Sequence, residues 1–101
     1  MFAIVYSFRV KVGCESTFID SWKNLTQLIK THEGSYGSKL HKDETGLYIA
    51  YALWPDKSTW EHSGNRLPEN AKPIRTRMRE CCSEIKTIYQ LDPILDLLNI
   101  E

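Results

Sequence analysis

Leu47-Tyr48-Ile49-Ala50-Tyr51-Ala52-Leu53-Trp54 is the stretch on which the fold turns. It has the length of one β-strand and is apolar on both faces. Leu47, Ile49, Tyr51 and Leu53 fall on one side, and Tyr48, Ala50, Ala52 and Trp54 on the other. A strand apolar on both faces is central in its sheet and covered from both sides. In a chain of 101 residues helices cover one face only, so the sequence assigns the second cover to another chain. Pro55-Asp56 breaks the run, and Asp56 or Ser58 stands where a short helix carrying Trp60 and His62 would be capped. On the N-terminal side, Lys42-Asp43-Glu44-Thr45-Gly46 reads as a hairpin connection to a more polar strand, Tyr36 to Lys42.

Further out, Phe2, Ile4, Tyr6, Phe8 and Val10 alternate with Ala3, Val5, Ser7 and Arg9, which predicts a first strand ended by Gly13. Phe18, Trp22, Leu25, Leu28 and Ile29 step by three or four, predicting a helix from about Cys14 to His32 with one apolar stripe. Gly34 is the glycine expected just past its end. Gly64, Pro68 and Pro73 make the following stretch irregular before a helix of about Ile74 to Cys82. Ser83 to Leu91 is predicted as the fourth strand, with Ile85, Thr87, Tyr89 and Leu91 in phase. The order β-α-β-β-α-β is the ferredoxin-like α+β plan with an antiparallel sheet. One domain spans residues 1–101. In the tail, 93–101, the apolar residues Ile94, Leu95, Leu97, Leu98 and Ile100 predict docking, with a dimer partner as the candidate surface.

Thirteen basic residues balance thirteen acidic ones, so the chain lacks the one-signed charge of a nucleic-acid binder. Arg75, Arg77 and Arg79 are followed at once by Glu80 and Glu84 and read as a solvated helix face. No apolar run approaches the ~20 residues of a membrane span, and the opening residues do not read as a signal peptide. Cys14, Cys81 and Cys82 are an odd number with an adjacent pair, which fits neither a disulfide framework nor a zinc site and points to a reducing cytoplasm.

Two indoles, two tyrosines and an imidazole between Leu47 and His62 serve either a core or a ligand cavity. Trp22 and Trp54 read first as core residues, whereas Trp60, on a half-exposed short helix, suits either role. His62 is the candidate general base, set against a plain surface histidine beside Glu61. His41 reads as solvent-facing and His32 as a residue of the helix end, so the three histidines make no metal site. Tyr6 brings a hydroxyl into an apolar interior, and Arg75 is a candidate bidentate partner for an anion.

Taken in order, Phe8-Arg9-Val10-Lys11-Val12-Gly13, Phe18 and Trp22, Gly34-Ser35-Tyr36-Gly37-Ser38-Lys39-Leu40, and Ala50-Tyr51-Ala52-Leu53-Trp54-Pro55-Asp56 leading to Trp60 resemble the antibiotic biosynthesis monooxygenase family. That family is a branch of the dimeric α/β-barrel superfamily, and the resemblance runs from about Phe2 to Leu91. It implies a homodimer whose two sheets pack face to face into a barrel. It also implies oxygenation of phenolic or quinol-like aromatics without metal, flavin or other cofactor. The haem-degrading branch has an asparagine where this chain has Tyr6 and a tryptophan where it has Ser63 and Gly64, so the resemblance does not extend to haem. Carried onto this chain, it implies pocket roles for Trp60 and His62; Tyr6, Phe8, Trp22, Trp54 and Arg75 are the further candidates for substrate binding, with His62 as proton acceptor. The expectation is therefore a monooxygenase-like protein that oxidises or binds a small aromatic. A non-catalytic ligand-binding or structural dimer module is the alternative.

Overall fold

Phe2, Ile4, Tyr6 and Phe8 project from one face of the first strand, β1 (Phe2–Val10), into the two apolar clusters of the core. The computed structural model describes residues 1–98. After β1 come α1 (Glu15–Glu33), β2 (Gly37–Lys42), β3 (Tyr48–Trp54), α2 (Lys57–Glu61), α3 (Ala71–Glu80) and β4 (Cys82–Leu91). The strands form one open antiparallel sheet in the order β2-β3-β1-β4. This is the ferredoxin-like α+β fold that the alternation of patterns predicts. β3 and β1 are its two central strands.

Helix α1 follows its apolar stripe closely. Phe18 is fully buried between the rings of Phe8 and Tyr48, 5.1 Å from each and tilted to both. Tilted packing of this kind adds to the area that aromatic rings bury. The helix ends at Gly34, whose φ of 83° is the left-handed cap that residues with a Cβ adopt at a cost. Asp56 caps α2 by accepting the backbone N–H of Thr59 at 2.7 Å, so of the two candidate caps the aspartate takes the role. α3 starts earlier than the pattern predicts, at Ala71. Pro73 lies in its first turn, where a missing N–H breaks no helical bond.

The register of the two central strands sets the shape of the interior. On the helix-facing side Phe2 pairs with Trp54, Ile4 with Ala52, Tyr6 with Ala50, and Phe8 with Tyr48. Large residues therefore stand at both ends of β3, and two alanines in the middle leave space above them.

β4 departs from its predicted phase. It pairs Thr87 with Tyr6 but Tyr89 with Val5, so a bulge falls at Ile88. The extra residue reverses the alternation. Ile85 and Thr87 face the helices, while Tyr89 and Leu91 turn to the far side of the sheet with Ala3, Val5, Ile49, Tyr51 and Leu53. Residues 92–98 run on without regular structure. A shallow depression forms where the tail passes Tyr51, Leu53 and Leu91, yet the side chains of Ile94, Leu95, Leu97 and Leu98 remain exposed. Ile100, the last apolar position of the predicted docking tail, lies outside the described residues.

Candidate functional site

The two alanines open a cavity of about 330 Å³ between the sheet and helices α1 and α3. Its floor is Tyr6, Phe8, Ala50 and Ala52, and Trp54 closes one end. Trp22, Leu25 and Ile29 of α1 form one wall, and Arg75, Met78 and Arg79 of α3 form another. Ser63 and Gly64 complete the rim. Walls of this kind, largely apolar with a few polar groups, are those of a small-molecule site.

The polar groups have defined partners. Trp60 donates its indole N–H to the Tyr6 hydroxyl oxygen at 2.8 Å. An indole has only a donor, so the phenol oxygen accepts and its own proton stays available for a ligand. Burial pushes the Tyr6 phenol above its ordinary value, against a smaller lowering by the Trp60 bond. Tyr6 is thus a neutral donor at physiological pH. Trp54 is 4% exposed, and its indole nitrogen has no partner among the described residues. A buried donor left unpaired costs about 1–3 kcal/mol. The hydroxyls of Ser35 and Ser38 are already engaged with the carbonyls of Leu53 and Tyr51.

Five of the residues singled out from sequence meet around this space: Tyr6, Phe8, Trp22, Trp54 and Arg75. Trp60 stands one layer back. It packs on Phe2 at 5.4 Å and lines an adjoining, more open cleft with Lys57, Glu61, Thr87 and Gln90, which shares Tyr6 and Ser63 with the cavity. The structure does not bring His62 into the cavity. It is exposed, and its Nδ1 lies 2.7 Å from the Ser58 carbonyl of its own helix. That carbonyl can only accept, so Nδ1 carries the ring proton and the imidazole is tied to the α2 backbone.

Two residues of the site were not evident from sequence. Arg79 lines the cavity one helical turn from Arg75, on the same side of α3, whereas Arg77 faces solvent. Glu33, the last residue of α1, is fully buried. One carboxylate oxygen accepts the backbone N–H groups of Gly64 at 2.7 Å and Arg66 at 3.2 Å, fixing the rim to the helix end. The Arg66 side chain adds only a long 3.9 Å contact from solvent. In sequence Glu33 is one more polar residue at a helix terminus, and its partners lie some thirty residues on. Among the described residues no group of three or more His, Cys, Asp or Glu side chains is arranged to hold a metal ion. No described helix is long and apolar enough to cross a membrane.

The model of one protein family, described as antibiotic biosynthesis monooxygenase, matches residues 1–73. The chain belongs to this family. The match takes in β1 through the start of α3, and with them Tyr6, Trp22, Trp54 and Trp60. Arg75 and Arg79 fall beyond it. Among solved structures, SnoaB from Streptomyces nogalater, a cofactor-independent oxygenase, superposes with a TM-score of 0.74 at 16% identity, covering 97% of each chain. A putative antibiotic biosynthesis monooxygenase from Caulobacter crescentus gives 0.76 at 18% identity, covering 93% of this chain and 90% of its own. Another from Bordetella bronchiseptica gives 0.74 at 19%, covering 93% and 97%. At these identities the likeness shows a shared fold. No curated protein matches the sequence.

Proposed function

We propose that this member of the antibiotic biosynthesis monooxygenase family binds a small phenol- or quinol-type aromatic in the cavity and oxygenates it with dioxygen, without metal or flavin. The observation that carries the reading is the cavity, about 330 Å³ of aromatic and aliphatic wall with Tyr6 in its floor. Family membership supports the reaction class. An ionised ring passes one electron to dioxygen, the ring radical and superoxide combine, and loss of water leaves a quinone. The balance is phenol plus dioxygen to quinone plus water: one oxygen atom ends on the ring and the other in water. The protein's part is to hold the ring in a dry site and fix its oxygen. Trp60 strengthens Tyr6 as a donor by occupying its lone pair, since linked hydrogen bonds polarise one another.

A homodimer belongs to the same proposal. What supports it is the far face of the sheet, where Tyr51 and Tyr89 stand exposed beside Leu91 and the apolar tail. A second copy packed there would cover this face and complete a barrel. The free thiols of Cys14, Cys81 and Cys82 suit a reducing cytoplasm.

One observation favours a second reading, a non-catalytic binder of the same ligand: no carboxylate or imidazole lines the cavity among the described residues to accept a proton. Oxygen-electrode assays over a panel of quinols and phenols separate the two. Oxygenation predicts uptake equimolar with quinone formed and reduced roughly tenfold in Tyr6→Phe, the worth of one hydrogen bond to a charged oxygen. Saturable binding with no uptake above autoxidation selects the binder, and absence of any binding removes both.

A further inference from the structure

Arg75 and Arg79 are the only charged side chains that line the cavity among the described residues, and both carry the same sign. Neither has a carboxylate within ion-pair distance among the described residues. The ion pairs among the described residues join Arg9 and Lys86 to Glu84, Arg66 to the buried Glu33 and Lys72 to Glu69. In a chain with as many acids as bases, two unmatched guanidiniums one turn apart at an apolar cavity are a local charge imbalance. The Tyr6 hydroxyl, whose oxygen already accepts from Trp60, adds a neutral donor. The cavity thus presents a fixed donor and positive charge around an aromatic-sized space, with no anionic group among the described residues.

We propose that the ligand is an aromatic bearing an anionic oxygen, an acidic phenolate or a carboxylate, held by the guanidiniums of Arg75 and Arg79 with its ring against Trp22 and Phe8. The inference deepens the aromatic-binding reading and rests on it. It also supplies what the cavity lacks: two nearby positive charges favour the ionised form of a phenol, so the ligand arrives without its proton and no enzymic base is required. A planar guanidinium matches a two-oxygen anion better than an ammonium does.

The test compares naphthoate with naphthamide, which share shape and differ in charge. Affinities are measured by titration calorimetry on the wild-type chain and on the Arg75→Gln/Arg79→Gln double variant. Arg75 is half-buried and Arg79 exposed, neither is in an ion pair among the described residues, and circular dichroism checks that the variant keeps its fold. The expected result is naphthoate bound roughly tenfold more tightly than naphthamide by the wild type, a preference that shrinks with added salt and is lost in the double variant. Equal affinity for the two ligands in the wild type, or an unchanged preference in the variant, overturns the anion assignment while leaving the aromatic cavity standing. Binding of neither ligand overturns the aromatic-binding reading and this inference together.

Discussion

Tyr6 shows how one side chain is set by its neighbours. Its phenol sits in the cavity floor, receives a bond from Trp60, and is raised above the ordinary value of 10.0 chiefly by burial. A group whose pKa rises on folding contributes stability that is complete below its unfolded pKa and is lost as pH climbs through the folded one. The wild-type thermal midpoint should therefore fall more steeply above pH 10.0 than that of Tyr6→Phe. Parallel pH profiles for the two proteins would contradict the placement of this phenol. Tyr6, Phe8, Trp22 and Trp54 were legible in the sequence because strand alternation and helical spacing decide which way each points. Trp60 was legible as an aromatic near the site but not as the donor to Tyr6, a partner 54 positions away. The outward position of His62 was not legible because a helix of five residues has too little periodicity to show which side turns inward.

At the scale of elements, β3 does most to make the site. Its order Tyr48, Ala50, Ala52, Trp54 places small residues opposite Ile4 and Tyr6, and the gap becomes the cavity. Ala52→Phe should fill that gap. Because the new ring enters existing space, we expect folding stability to change by no more than about 1.5 kcal/mol in urea denaturation, while affinity for any cavity ligand falls at least roughly tenfold. Undiminished binding in this variant would place the ligand elsewhere. The strand order, the α1 stripe and the glycine cap were all readable, since each follows from local spacing. The bulges in β4, at Ile88 and at Ser83, were not readable, because nothing in Ser83–Leu91 interrupts the regular alternation. They arise from how β4 meets β1. Nor was the rim, for the loop carrying Ser63 and Gly64 is placed by the buried Glu33 of a distant helix end.

At the scale of the whole molecule, the two faces of the sheet have unequal cover. One carries helices and the cavity. The other exposes Tyr51, Tyr89 and Leu91 in a single chain, with Ala3, Val5 and Ser7 buried between them. Exposed apolar area of this kind marks an interaction surface. Sedimentation should give twice the chain mass for the wild type, and Tyr51→Glu, which sets a charge in the middle of that face, should shift it toward the single chain. A wild type that sediments as one chain at micromolar concentration would refute the dimer.

The extra residue at Ile88 divides one strand between two tenants. Upstream of it, Ile85 and Thr87 answer to whatever occupies the interior; downstream, Tyr89 and Leu91 answer to whatever covers the back of the sheet. Ligand preference and self-association can then drift separately along a ribbon of ten residues, without a mutation in one half disturbing the other.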